Sequence, residues 1–128
     1  MKPQAVKYVL MVQDMDRAVR FYRDTMGFTE GSLSSYWSEL RFGDAILGLH
    51  YGGDGSRHQT AISIQYANVA AAYAMAIKSG AEGVQAPVQR EGEPILFSSV
   101  VDPEGNIITL TQFVGEDAFE VEKHPLNS

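Results

Sequence analysis

Cysteine is absent from this 128-residue chain. That excludes a disulfide scaffold, a thiolate metal site and a cysteine nucleophile. No apolar run approaches the roughly 20 residues of a membrane-spanning helix. Basic residues are in deficit, ten against sixteen acidic ones, for a net charge of −6. No Lys/Arg block stands out, so nucleic acid and anionic membrane are poor partners, and the acidic balance instead favours cationic ligands. The stretch Met1-Lys-Pro-Gln-Ala-Val-Lys7 has no signal-peptide apolar segment, and a cytoplasmic location is the expectation. Neither a Ser-His-Asp order nor paired carboxylates are legible, so nucleophilic and glycosidic catalysis find no support.

What is present suits one folded domain. Apolar residues make up 45% of the chain, with six Phe and six Tyr to fill a core. Lys7–Gln13 is a strand-length run of β-formers. Asp14 follows as a helix cap, and Met15, Ala18, Val19, Tyr22 and Met26 recur at helical spacing until Gly27. Strands are expected at 28–33, 36–42 and 45–50, the last two joined by a Gly43-Asp44 turn. The glycine-rich segment 52–58 lacks the Lys-Ser/Thr ending of a phosphate loop and reads as a linker.

The pattern then restarts. Residues 61–66 alternate with period two, Asn68 is a cap, and Val69, Ala72, Tyr73, Ala76 and Ile77 form a helical stripe closed by Gly80. Strands follow at 83–89, 95–101 and 106–113, with Asp102-Pro-Glu-Gly-Asn106 as the last turn. One unit, strand–helix–three strands, is present twice. The expected organisation is module one over 5–51, linker 52–58, module two over 59–113 and an acidic tail over 114–128.

The segments Val12–Phe28 and Asp102–Leu110, with the duplicated order, resemble the vicinal-oxygen-chelate superfamily of glyoxalase I, bleomycin-resistance proteins and extradiol dioxygenases. The resemblance spans about residues 5–113. It implies an α+β fold of two tandem βαβββ modules, whose mixed sheets form a cupped cleft with the helices outside, often in a dimer.

Strand alternation assigns the faces. Leu47, Leu49, Ile62, Ile64, Tyr66, Ile108 and Leu110 take the helix side. The first strand is apolar on both faces and is oriented by the resemblance, with Tyr8, Leu10 and Val12 toward the helix. The cleft candidates are then Lys7, Val9, Met11, Ile46, Gly48, His50, Ala61, Ser63, Gln65, Ile107, Thr109 and Thr111. Metal-dependent members of the superfamily place His, Glu or Gln at four inner-strand positions, and the resemblance puts Lys7, Gly48, Ala61 and Thr109 there. Lysine is normally a donor only, Gly and Ala carry no ligating atom, and Thr is a weak ligand. No metal and no cofactor are therefore expected.

Lys7 is either a solvent-directed strand-end residue or a cleft lysine that binds an anionic group or acts as a base. Trp37 and Tyr36 are core or ligand platform. Glu39 and Arg41 put charge on one face of their strand. His50 is a rim histidine, His58 a loop residue and His124 a tail residue.

Three functions compete. The first is a metal-independent binding protein for a small, flat, partly apolar molecule, as in drug sequestration by the bleomycin-resistance branch. Ligand-binding candidates are Lys7, Val9, Met11, Ile46, His50, Ser63, Gln65, Ile107, Thr109 and Thr111. The second is a lyase, isomerase or ring-cleaving oxygenase with an absent or relocated metal, in which His50 and Lys7 serve as acid and base. The third is an interaction protein with a vestigial cleft. A homodimer is expected, because half-cups and the Ala70, Ala71, Ala74 and Met75 helix face would otherwise be left uncovered.

Overall fold

Both helices start where a short polar side chain can accept a backbone N–H. Asp14 accepts from the Arg17 amide at 3.0 Å and Asn68 from the Ala71 amide at 3.1 Å. The computed structural model describes residues 1–115. Its elements are β1 (Lys7–Val12), α1 (Met15–Arg20) continued by a π turn (Phe21–Thr25), β2 (Thr29–Ser32), β3 (Trp37–Phe42) and β4 (Ala45–Tyr51). The same order then repeats as β5 (His58–Gln65), α2 (Val69–Lys78), β6 (Glu82–Gln89), β7 (Ile95–Val101) and β8 (Asn106–Phe113). The fold is α+β, built of two βαβββ modules.

Each module forms one four-stranded mixed sheet, ordered β1-β4-β3-β2 and β5-β8-β7-β6. The pairs β1–β4 and β5–β8 are parallel and the others antiparallel. The helix-side residues of both modules join one core that includes Leu10, Val12, Leu47, Leu49, Ile108 and Leu110. Tyr8 departs from its expected burial and is 56% exposed.

The helical stripe of the first module differs from a regular 3.6-residue repeat. The π turn places the adjacent residues Phe21 and Tyr22 both in the core, with their rings edge-to-face at 5.0 Å. The wider turn, closed by the Met26 amide on the Phe21 carbonyl, rotates one extra residue inward. In α2 only Val69 and Ala76 are fully buried, and Ala70, Ala71, Ala74 and Met75 are exposed.

The Asp102–Asn106 turn is a buried polar junction between the modules, not the simple connection its sequence suggests. Glu104, fully covered, accepts from the Gln13 and Asp14 amides at 2.8 and 2.9 Å and pairs with the Arg17 Nε at 2.6 Å. Asp102 accepts from the Glu104 and Asn106 amides, both at 2.8 Å, and from the Tyr22 hydroxyl. Asn106 donates to the Met11 carbonyl at 2.9 Å. These bonds tie the end of β1 and the start of α1 to the second module. Burial raises the Asp102 carboxyl above its usual range, and burial beside Asp102 raises the Tyr22 hydroxyl strongly.

Candidate functional site

The face of the first sheet turned away from the helix is set by register. Lys7, Ile46 and Arg41 lie in one cross-strand row, Val9, Gly48 and Glu39 in the next, and Met11, His50 and Trp37 in the third. Val9 is 49% and Met11 37% exposed, whereas Ile46 is largely covered.

The Trp37 indole leans from its own row across Gly48. A Cβ at Gly48 would overlap the ring, so glycine makes the position the ring occupies. The indole Nε1 donates to Glu39 Oε2 at 2.9 Å, and the Lys7 ammonium donates to the same oxygen at 2.7 Å. Lys7 Nζ also lies 5.5 Å from the indole centroid, within cation–π range. Arg41 reaches the other Glu39 oxygen at 3.5 Å. The Lys7 and Trp37 donors hold the Glu39 carboxyl below its usual range.

His50 stands beside the indole, edge-on at 6.1 Å. Its Nδ1 is 2.6 Å from the Tyr51 carbonyl, which requires the proton on Nδ1 and leaves Nε2 as acceptor in the neutral ring. His58 Nε2 lies 3.8 Å from Asp54. The expectation for His124 falls outside the described residues.

In the second sheet Ser63 pairs with Thr109, and Thr109 with Ser99. Gln65, Thr111 and Phe97 form the adjoining row. Ser63 and Gln65 are exposed, Ile107 and Thr109 half-buried, and Thr111 buried, so Thr111 is less available than alternation alone suggests. Arg90 stacks over Phe97 at 3.8 Å.

The ten sequence candidates thus fall into two groups. Lys7, Val9, Met11, Ile46 and His50 share one face of the first sheet; Ser63, Gln65, Ile107, Thr109 and Thr111 belong to the second. Among the described residues no side-chain hydrogen bond joins the groups. A groove of about 710 Å³ runs between the modules, but of the ten it takes only Ile46, Ser63 and Gln65. Its other walls include Tyr8, Phe28, Phe42, Ile64 and Tyr66. Burial pushes the Tyr66 hydroxyl up to about 12, and it donates to the Met26 carbonyl at 2.7 Å. A second, more polar hollow of about 480 Å³ lies beside the start of α1, lined by Gln13, Asp14, Arg17, Ser35 and Tyr51 among others.

Glu39, Arg41, Phe97 and Arg90 were not among the sequence candidates. The signal for the first two was their alternation with Ser38 and Leu40. Nothing local announced that Trp37 would rest on a glycine eleven residues away in sequence.

Residues 4–110 match the profile of the glyoxalase/bleomycin resistance protein/dioxygenase superfamily. The chain belongs to this superfamily. Comparison with curated proteins gives no match. Among solved structures, it is similar to a glyoxalase/bleomycin resistance protein/dioxygenase family enzyme from Burkholderia phytofirmans, at 18% identity and TM-score 0.70, over 84% of this chain and 96% of that one. A virulence protein from Salmonella typhimurium is 24% identical at TM-score 0.65, with 89% and 100% coverage. The bleomycin-binding protein of Streptomyces verticillus, solved with copper(II)-bleomycin, is 21% identical at TM-score 0.60, with 88% and 98% coverage. At these identities the likeness establishes the fold.

The superfamily's metal positions can be tested against these residues. Lys7 is a donor-only ammonium paired with Glu39, and the indole fills the space above Gly48. Ala61 contributes no donor. Among the described residues no group of three or more His, Cys, Asp or Glu is placed to hold a metal ion. The donor set does not fit a divalent cation. The arrangement combines a half-buried indole, exposed apolar neighbours and charged groups beside the indole Nε1.

Proposed function

We propose that this chain is a metal-independent small-molecule-binding protein of the glyoxalase/bleomycin resistance superfamily. Its ligand is a flat, partly aromatic compound held on the sheet faces turned away from the helices. The observation that carries this reading is the Trp37 indole lying on Gly48, with the exposed Val9 and Met11 beside it. The half-buried indole is an aromatic partner for a planar ring, and its exposed aliphatic neighbours favour a ligand that covers them. Covering apolar area contributes about 25 cal/mol per Å², enough for micromolar affinity after association costs.

In this reading Met11, Ile46 and Ile107 supply apolar contact. His50, Gln65 and Thr109 orient polar groups, with Lys7, Val9, Ser63 and Thr111 at the margins. The two groups of candidates then meet across a homodimer, the first-sheet face of one protomer opposite the second-sheet face of its partner. The separation of the two groups within one chain supports that arrangement, as does the exposed α2 face of Ala70, Ala71, Ala74 and Met75. The bleomycin-binding structural relative supports drug-like ligands.

A thermal-shift screen of aromatic and drug-like compounds, run with EDTA throughout, tests the function. Compounds that raise Tm in a saturable way under EDTA are the expected result. A protein stabilised by no compound until a divalent metal is added contradicts it.

A further inference from the structure

The overall charge of −6 points toward cationic ligands, but the charges around Trp37 point the other way. Glu39 carries one negative charge and faces two cations, Lys7 and Arg41, on the same sheet face. Its Oε2 accepts from both Lys7 and Trp37, and Oε1 has Arg41 beside it. An acceptor-only group so engaged has little left to offer an incoming cation. Lys7 is in the opposite position. Its ammonium has three donors, of which one is spent on Glu39, and its side chain remains 41% exposed. Arg41 is 48% exposed and likewise retains unspent N–H groups. The local balance is one net positive charge, next to an aromatic floor.

We propose that the Trp37 face selects planar aromatic anions, with the ring stacked on the indole and a carboxylate received by Lys7 and Arg41. This inference rests on the binding function above and names its ligand class. Lys7 Nζ lies 5.5 Å from the indole centroid, close enough for one ligand to meet both ring and ammonium. Glu39 acts here as a positioning residue. It fixes the ammonium and the indole Nε1 relative to each other and lowers the net charge that an anion meets.

Trp37 is the single tryptophan of the chain, so its indole N–H gives one resolved signal in a nitrogen–proton NMR spectrum. The test titrates three probes of one shape against that signal: 2-naphthoate, neutral 2-naphthamide and cationic 2-naphthamidine. The expected result is a saturable shift with naphthoate, at an affinity about tenfold above the amide, the gain of one charge-assisted contact. Lys7→Met or Arg41→Met should remove most of that preference, and both residues are exposed enough for the variants to fold. Glu39→Gln should tighten naphthoate binding, because it deletes the competing negative charge. Tighter binding of the amidine, or naphthoate affinity unchanged in both Met variants, overturns the inference. If none of the three probes moves the indole signal while other compounds still raise Tm, the anion inference fails and the binding function stands.

Discussion

Glu104 of the second module caps the first: its buried carboxylate receives the Gln13 and Asp14 amides and pairs with Arg17. The bond from the Glu104 carboxylate to Arg17 raises the guanidinium above its ordinary value. The strand whose open face carries Lys7, Val9 and Met11 therefore ends on a residue more than 90 positions away in sequence. Geometry of the candidate site and cohesion of the modules depend on the same turn.

Glu104→Ala should cost about 2–4 kcal/mol, because it strands two backbone N–H groups, while the partly exposed Arg17 turns to water. Urea unfolding measures it. Glu104→Gln should cost less, since the amide oxygen can still accept. A loss below about 1 kcal/mol for the alanine variant would mean that the modules are held together elsewhere.

Gly48→Ala should displace the indole, because the new Cβ overlaps the ring. The expected cost is about 1–3 kcal/mol of overpacking, with a red-shifted tryptophan emission as the ring moves into water. Unchanged emission would show that the ring does not rest on Gly48. Gly105→Ala is a separate probe of the turn. Gly105 has φ +94° and its Cβ would meet the Gly55 and Ser56 carbonyls, so this variant should lose stability without changing the emission of the folded protein.

Much of this architecture was legible in the chain, for identifiable reasons. Asp14 and Asn68 lie before apolar stripes, and the glycines at 27 and 80 follow them, so both helices could be bounded locally. Alternation placed Leu47, Leu49, Ile108 and Leu110 on the covered side. The π turn was not legible, because a stripe read at 3.6 residues per turn omits Phe21. The burial of Asp102, Glu104 and Asn106 was not legible either: a polar turn motif looks the same whether its acceptors meet water or another module's amides. At the site, His50 followed from period and Lys7 from the family resemblance that oriented the first strand, whereas the Lys7–Glu39–Trp37 cluster depends on cross-strand register, which a single sequence does not fix.

Glu39 should give an acid-sensitive stability term. Its folded-state value lies below 4.5 because of Lys7 and Trp37, so the stabilisation is present above 4.5 and is lost as pH falls through the lowered value. Glu39→Gln should flatten the stability–pH curve on that acid limb, read by thermal unfolding at a series of pH values. An identical slope in both proteins would show that the carboxylate is not engaged in solution.

The dimer is tested by sedimentation at micromolar concentration. A two-protomer species is expected, and Val9→Lys should weaken it by placing a charge where the open face is apolar. A monomer throughout this range contradicts the shared-cleft arrangement.

The proposed ligand depends on Met11 and Ile107 of the open sheet faces, and shares only Ile46, Ser63 and Gln65 with the apolar groove between the modules, not its Tyr8 wall. The measurement that tests this dependence most directly is ligand-induced Tm shift in Met11→Glu, Ile107→Glu and the groove variant Tyr8→Glu, each checked for folding by circular dichroism. Met11 is 37% and Tyr8 56% exposed, and Ile107 is half-buried, so all three positions should tolerate the charge. Met11→Glu and Ile107→Glu are expected to fold and lose the shift, while Tyr8→Glu keeps it. Retention of the shift in both face variants, with its loss in Tyr8→Glu, would place the ligand in the groove and contradict binding on the sheet faces.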